Sequence, residues 1–236
     1  MRRQKRESEA APINLTDAAG RIVGCIDTRS NRSNGRRVSR LSFIAEICML
    51  SFLLSPVIAR AGDVRGKVVL ANGPSNANAV IYIETVDSAF SPPDTDAVMN
   101  QKHLAYLPEV LPVLAGTTVK FLNSDDVLHD VFTPSQCAGG FNLGSFPPGE
   151  SKTHVFRKAG CFALILCDIH PEMQAWIVVL QNPYFAVSDR EGNYVIRGIP
   201  AGTYTLRAWF GYYKSESARI VVPQNGNVNM DFQLKQ

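Results

Sequence analysis

The chain has 236 residues, 45% of them hydrophobic, and a formal net charge of +3, which leaves room for one or two domains with buried cores and excludes a generally disordered polymer. The charge is unevenly placed: residues 1 to 61 hold 11 Lys and Arg against 5 Asp and Glu, whereas residues 62 to 236 hold 13 against 16. The part able to fold is slightly acidic, and no basic patch argues for nucleic-acid binding.

Residues 1 to 40 are polar, rich in Arg, Ser, Asn and Gly, and lack spaced apolar residues. They read as a disordered leader or as sequence upstream of the true start. Leu41 to Ile58 is mostly apolar but interrupted by Glu46, and the clean run from Ile47 to Ile58 is shorter than the roughly 20 residues a membrane-spanning helix needs. With small residues at Ala59 and Ala61, residues 1–61 are expected to end in a signal peptide cleaved near Ala61. The expectation is an exported, periplasmic chain with no stable membrane insertion after cleavage; an uncut N-terminal anchor is the alternative.

From Gly62 the pattern is strand and turn. Val64 to Leu70 and Ala79 to Glu84 are β-branched runs around Asn72-Gly73-Pro74-Ser75-Asn76, which predicts a hairpin. Pro92-Pro93 makes Ser88 to Asp96 a linker. A second β region starts near His103, with strands expected over Val110 to Leu114, Thr117 to Asn123 and Val127 to Phe132. It continues through a glycine-rich loop from Cys137 to Ser145 and a turn from Phe146 to Glu150. Thr153 to Arg157 and Cys161 to Cys167 flank Lys158-Ala159-Gly160, a second hairpin by composition, and Ala175 to Leu180 closes the region. Further strands are expected at Tyr184 to Ser188, Asn193 to Arg197, Thr203 to Phe210, Ala218 to Val222 and Val228 to Leu234. No helical periodicity competes, so the fold class is all-β, built as Greek-key sandwiches or barrels.

The chemistry concentrates in Cys167-Asp168-Ile169-His170-Pro171-Glu172-Met173, a thiolate, an imidazole and a thioether with two residues between each. Cysteine with His at +3 is weak on its own and also serves zinc, but zinc wants four strong N or S donors and Met173 is a poor one. His129, behind Asn123, Asp125 and Asp126, completes a two-His, one-Cys set with a weak Met, the donors of a blue copper centre. The plainer reading of His129 is a surface-loop histidine. Cys161 lies six residues before Cys167, roughly 20 Å away at ~3.3 Å per residue, and cannot share that site. It can pair with Cys137, or both can remain buried thiols acting as small hydrophobes. His103 and His154 read as surface residues, and Trp176, Tyr184, Trp209, Tyr212 and Tyr213 as core or interdomain packing. No Ser/His/Asp or paired-carboxylate pattern suggests hydrolysis, so no enzyme is expected.

Residues 98–180 resemble the cupredoxins, through Val113-Leu-Ala-Gly-Thr-Thr-Val-Lys-Phe-Leu-Asn123, Phe146-Pro-Pro-Gly-Glu150 and the compact, amicyanin-type spacing Cys167-x-x-His170-x-x-Met173. They look like the plastocyanin-like group labelled methylamine utilisation proteins. The resemblance implies one type 1 copper held by His129, Cys167 and His170 with Met173 axial, and single-electron transfer between periplasmic redox partners through the edge of His170. A copper carrier or store, or a carbohydrate-binding or adhesion module, is the alternative. Asp130 stands where the family usually has Asn, which opposes a nearby thiolate unless the carboxylate is hydrogen-bonded. Gly160 to Cys167 is one residue longer than usual, which predicts a bulge. Gly66-Lys-Val-Val with Asn78 to Ile83, and Ser188 to Leu206, resemble a carboxypeptidase regulatory-like domain, a transthyretin-like β-sandwich. Its first strands are expected in 62–90 and the remainder in 184–236, with the cupredoxin segment inserted between.

Overall fold

The structure, a computed structural model, describes residues 61–236 apart from Pro74; the leader and signal-peptide readings fall outside the described residues. The fold is all-β. The described chain opens with β1 (Ala61–Leu70) and β2 (Val80–Ile83). It continues through β3 (Ala97–Gln101), β4 (Tyr106–Leu107), β5 (Val110–Leu114), β6 (Thr117–Asn123) and β7 (His129–Phe132). Next come β8 (Asn142–Phe146), β9 (Ser151–Phe156), β10 (Cys161–Leu166) and β11 (Gln174–Leu180). The C-terminal strands are β12 (Phe185–Val187), β13 (Asn193–Pro200), β14 (Gly202–Trp209), β15 (Glu216–Val222), β16 (Asn227–Asn229) and β17 (Phe232–Leu234).

Strands β3 to β11 pair among themselves, in sheets ordered β5-β11-β10-β7-β8 and β4-β3-β6-β9. The strands on either side of them in sequence make the other two sheets: β13-β1-β16 with β17 also on β1, and β12-β2-β14-β15. Two sandwiches result, one threaded between the second and third strands of the other.

Neither expected hairpin forms. β1 pairs with β13, β16 and β17, while β2 pairs with β12 and β14, so the turn after Leu70 carries the chain across the sandwich. β9 likewise pairs with β6, and β10 with β11 and β7. Turn composition reports a reversal of direction but not which sheet receives the returning strand; β2, buried on both faces, carries no alternation to decide it. The bulge expected before Cys167 is absent as well: β10 and β11 stay in register from Cys161↔Val179 to Leu166↔Gln174. The irregularity lies between Asp130 and Phe132, where β7 meets β8.

Strand alternation explains how the core is filled. On β10, Cys161, Ala163 and Ile165 point inward, and Cys167, just past the strand end, keeps that phase and is 3% exposed. β11 reads Ala-Trp-Ile-Val-Val-Leu because both its faces are covered. Ala175, Ile177 and Val179 enter the core of its own sandwich, while Trp176, Val178 and Leu180 face the other one. There they meet Val80, Tyr82 and Trp209 in a third apolar cluster, in which Trp209 packs 4.8 Å from the Phe162 ring and 5.3 Å from that of Trp176. Tyr212, expected to pack, is 71% exposed and touches Trp176 only edge-on. His154, expected at the surface, is half-buried and stacked 3.9 Å from the Phe141 ring.

Two covalent or steric features lock the arrangement. Cys137, in the short 3-10 turn Gln136–Ala138, forms a disulfide with Cys161 at the start of β10. At Gly66 of β1 the chain between β16 and β17 comes so close that a Cβ would sit 1.7 Å from the Met230 carbonyl oxygen. Only glycine permits that approach.

Candidate metal centre

His129 opens β7, Cys167 follows β10, and His170 and Met173 lie on the loop to β11. The two ligand-bearing strands are brought together by the single register contact Leu166↔Phe132 and by Tyr106. The Tyr106 hydroxyl lies 2.9 Å from the Leu166 carbonyl and 3.1 Å from that of Asp130, sharing its one proton between β10 and β7. Burial holds the Tyr106 phenol well above the ordinary range, so it stays a donor.

The loop before His129 is fixed from inside. Buried Asn123 donates through Nδ2 to the carbonyls of Val127 at 2.9 Å and Phe146 at 3.1 Å, and its Oδ1 accepts from the Asp125 amide at 3.0 Å. His129 is consequently 0% exposed, not a surface-loop residue. Its Nε2 lies 2.9 Å from Asp125 Oδ2. A carboxylate can only accept, so Nε2 carries the proton and Nδ1 presents a lone pair to the interior. For the Asp125 carboxyl, burial acts upward but is outweighed by hydrogen bonds from the Leu104 amide, His129 and the His103 amide, so its pKa is lowered.

The His129 Nδ1 lone pair meets His170 Nδ1 at 3.0 Å, and Cys167 Sγ lies 4.0 Å from the first nitrogen and 3.8 Å from the second. Two nitrogen lone pairs cannot face each other at that distance without a proton or cation between them. A triangle with those three sides has its centre about 2.1 Å from every corner, which matches the ~2.0–2.3 Å bonds that imidazole nitrogen and thiolate sulfur make to a first-row metal ion. The three donors, all within 4.8 Å of one another, therefore fit a trigonal metal ion. Burial pushes the Cys167 thiol up, partly offset by backbone amides, so a thiolate there would call for a cation beside it. Met173 is 1% exposed, packs in the same apolar cluster as Cys167, and donates its backbone N–H to the His170 carbonyl at 2.9 Å.

Asp130, 4% exposed, is hydrogen-bonded. Its Oδ1 accepts from the Asp168 amide at 2.7 Å and the Ile169 amide at 3.4 Å, tying the His129 strand to the Cys167 loop. The sequence marks Asp125 only as one of the acids ahead of His129, without its bond to the ring, and gives Tyr106 no part in this centre. A carboxylate four residues before a candidate ligand His was the available signal for Asp125; Tyr106 offered none.

Residues 173–235 match the carboxypeptidase regulatory-like domain family. Among solved structures the chain is similar to a reduced amicyanin mutant, 24% identical over 43% of this chain and 98% of that one, with a TM-score of 0.34. It is also similar to a purple cupredoxin from Nitrosopumilus maritimus, 25% identical over 36% and 99%, TM-score 0.32. A copper-containing nitrite reductase from Thermus scotoductus is 26% identical over 42% of this chain and 25% of that one, TM-score 0.35. The likeness is to cupredoxins on one side and carboxypeptidase regulatory-like domains on the other. No curated protein matches the chain. The regulatory-like match begins at Met173 and so takes in β11, which hydrogen-bonds within the cupredoxin-like sandwich, while leaving out β1 and β2, which complete the regulatory-like sheets.

Proposed function

We propose that the chain is an exported type 1 copper protein carrying single electrons, in which His129, Cys167 and His170 would hold the ion and Met173 would serve as a weaker fourth ligand. The observation that carries this reading is the donor triangle, whose soft and borderline atoms suit both copper oxidation states. Bound copper would supply one-electron redox cycling. The protein's part is to hold the donors in one arrangement. The hydrogen bonds of Asn123, Asp125, Asp130 and Tyr106, together with the sheets behind them, leave little to rearrange when the charge at the centre changes.

His129 and Cys167 are sealed from solvent, whereas His170 is half-buried, and Ile169 next to it and Val127 and Leu128 just before His129 are exposed. The His170 ring edge is thus the natural electron port. Exposed Asp126, Asp168 and Glu172 rim the same end, which suits a periplasmic redox partner with a cationic rim. The Cys137–Cys161 disulfide supports an oxidising compartment.

Titration of the purified protein with Cu(II) tests the reading. One equivalent should give an intense visible thiolate-to-copper absorption, lost in Cys167→Ser without loss of the fold. Met173→Gln should keep copper bound and shift its potential; if neither colour nor potential changes, Met173 is not a ligand. A colourless protein that takes only Cu(I) would instead be a copper carrier.

A further inference from the structure

Beneath His129 the backbone adopts an expensive conformation. His103 and Leu104, adjacent residues in the turn between β3 and β4, have φ of 58° and 56°. The left-handed region costs a non-glycine residue about 1–2 kcal/mol, and no glycine relieves this turn. Lys102 and Ala105 close it by exchanging backbone hydrogen bonds of 2.9 and 3.2 Å. Packing does not explain the strain, because the side chains of His103 and Leu104 are exposed. What the conformation achieves is to aim two successive amides at one carboxylate: His103 N donates to Asp125 Oδ1 at 2.6 Å and Leu104 N to Asp125 Oδ2 at 2.9 Å. Successive amides turned to one side in this way form an anion-binding nest.

We propose that the strained turn between β3 and β4, acting through Asp125, is a positioning device for His129. It holds the carboxylate against Nε2, fixes the ring as the Nε2–H tautomer, and leaves Nδ1 as a strong donor towards Cys167 and His170. Asp125 is a positioning residue and touches no metal. Because a carboxylate-bonded imidazole is the more electron-rich ligand, the device favours Cu(II) over Cu(I) and sets the potential low. The redox half of this inference rests on the copper reading above; the tautomer half does not.

The test uses Asp125→Ala, Asp125→Asn and Leu104→Gly. Nitrogen-15 NMR of the metal-free protein should find His129 as the pure Nε2–H tautomer, with Asp125→Ala giving a mixture. In the copper-loaded protein Asp125→Ala should weaken Cu(II) binding about 10–100-fold and Cu(I) binding less, so the reduction potential rises; Asp125→Asn, which keeps an acceptor without the charge, should fall between. Leu104→Gly keeps the amide and relieves the strain, so it should raise stability while leaving tautomer and potential unchanged. Mixed tautomers in the native protein, or a potential and tautomer indifferent to Asp125→Ala, would overturn the proposal. Failure to bind copper with the tautomer effect intact would remove the copper reading alone.

Discussion

The Cys137–Cys161 bond offers the sharpest quantitative test of how the cupredoxin-like sandwich is held. It closes a loop with a sequence separation of 24. In the chain-entropy view, such a loop removes about 12 cal/mol/K from the unfolded ensemble, or about 3.5 kcal/mol at 25 °C. Reduction changes no side-chain volume, so urea unfolding of the metal-free protein with and without reductant isolates that contribution. The loss should be about 3.5 kcal/mol, and Cys137→Ala/Cys161→Ala should lose at least as much. Because Cys161 opens β10 and Cys167 follows its far end, the double variant should nevertheless bind copper with an unaltered absorption spectrum. A loss under about 1 kcal/mol would refute the entropic origin of the stabilisation, and a changed copper spectrum the independence of the two ends of β10.

Other expectations are equally direct. Gly66→Ala should cost more than about 3 kcal/mol in urea unfolding, since its Cβ would overlap the backbone at Met230 with no flexible group able to yield. Gln101 is 0% exposed with both side-chain amide atoms unpartnered, so Gln101→Leu should stabilise the protein by about 1–3 kcal/mol in urea unfolding. Burial pushes Tyr82 from 10.0 up to about 12, with Arg207 opposing and Glu84 adding. The folded state therefore keeps a proton the unfolded chain has released. That contribution is complete below pH 10 and lost as pH rises through about 12, and Tyr82→Phe should flatten the stability curve over that window. Oxidation of the reduced protein by a cationic cobalt complex should slow as salt is added and oxidation by ferricyanide should quicken, given the acidic rim of Asp126, Asp168 and Glu172; stopped-flow rates indifferent to salt would refute the rim's role.

Much of this arrangement was legible in the residues, and what was not has identifiable causes. The Cys167-x-x-His170 spacing and the apolar run after Gly160 are local signals, and the strand phase alone carries Cys167 inward. The burial of His129 was not local: it depends on Asn123, which reaches forward to Val127 and across to Phe146. The first failed hairpin has a local cause, because Val80–Ile83 is buried on both faces and leaves no alternation to say which sheet it joins; β9 and β10 do alternate, and there the turn composition alone misled. Asp130 illustrates the converse. Its carboxylate looked like a liability beside a thiolate, but the Asp168 and Ile169 amides occupy one oxygen and make it the link between the two ligand segments. Which group accepts a hydrogen bond is decided by the approach of distant backbone, and that is written nowhere near position 130.

The threading of one sandwich through the other also bears on the order in which the molecule is assembled. β2 and β12 are neighbours, with Phe185 opposite Tyr82, yet their sequence separation encloses all of β3 to β11. Closing a loop that long as an unstructured coil is slow and entropically unfavourable. Once β3 to β11 have condensed, however, their two ends emerge side by side, and the distance that β2 and β12 must search collapses. The inserted sandwich then acts as an internal clamp that nucleates its host, so a lesion in the core of β3 to β11 should be felt as slow docking of β13 to β17, including the strands it does not touch.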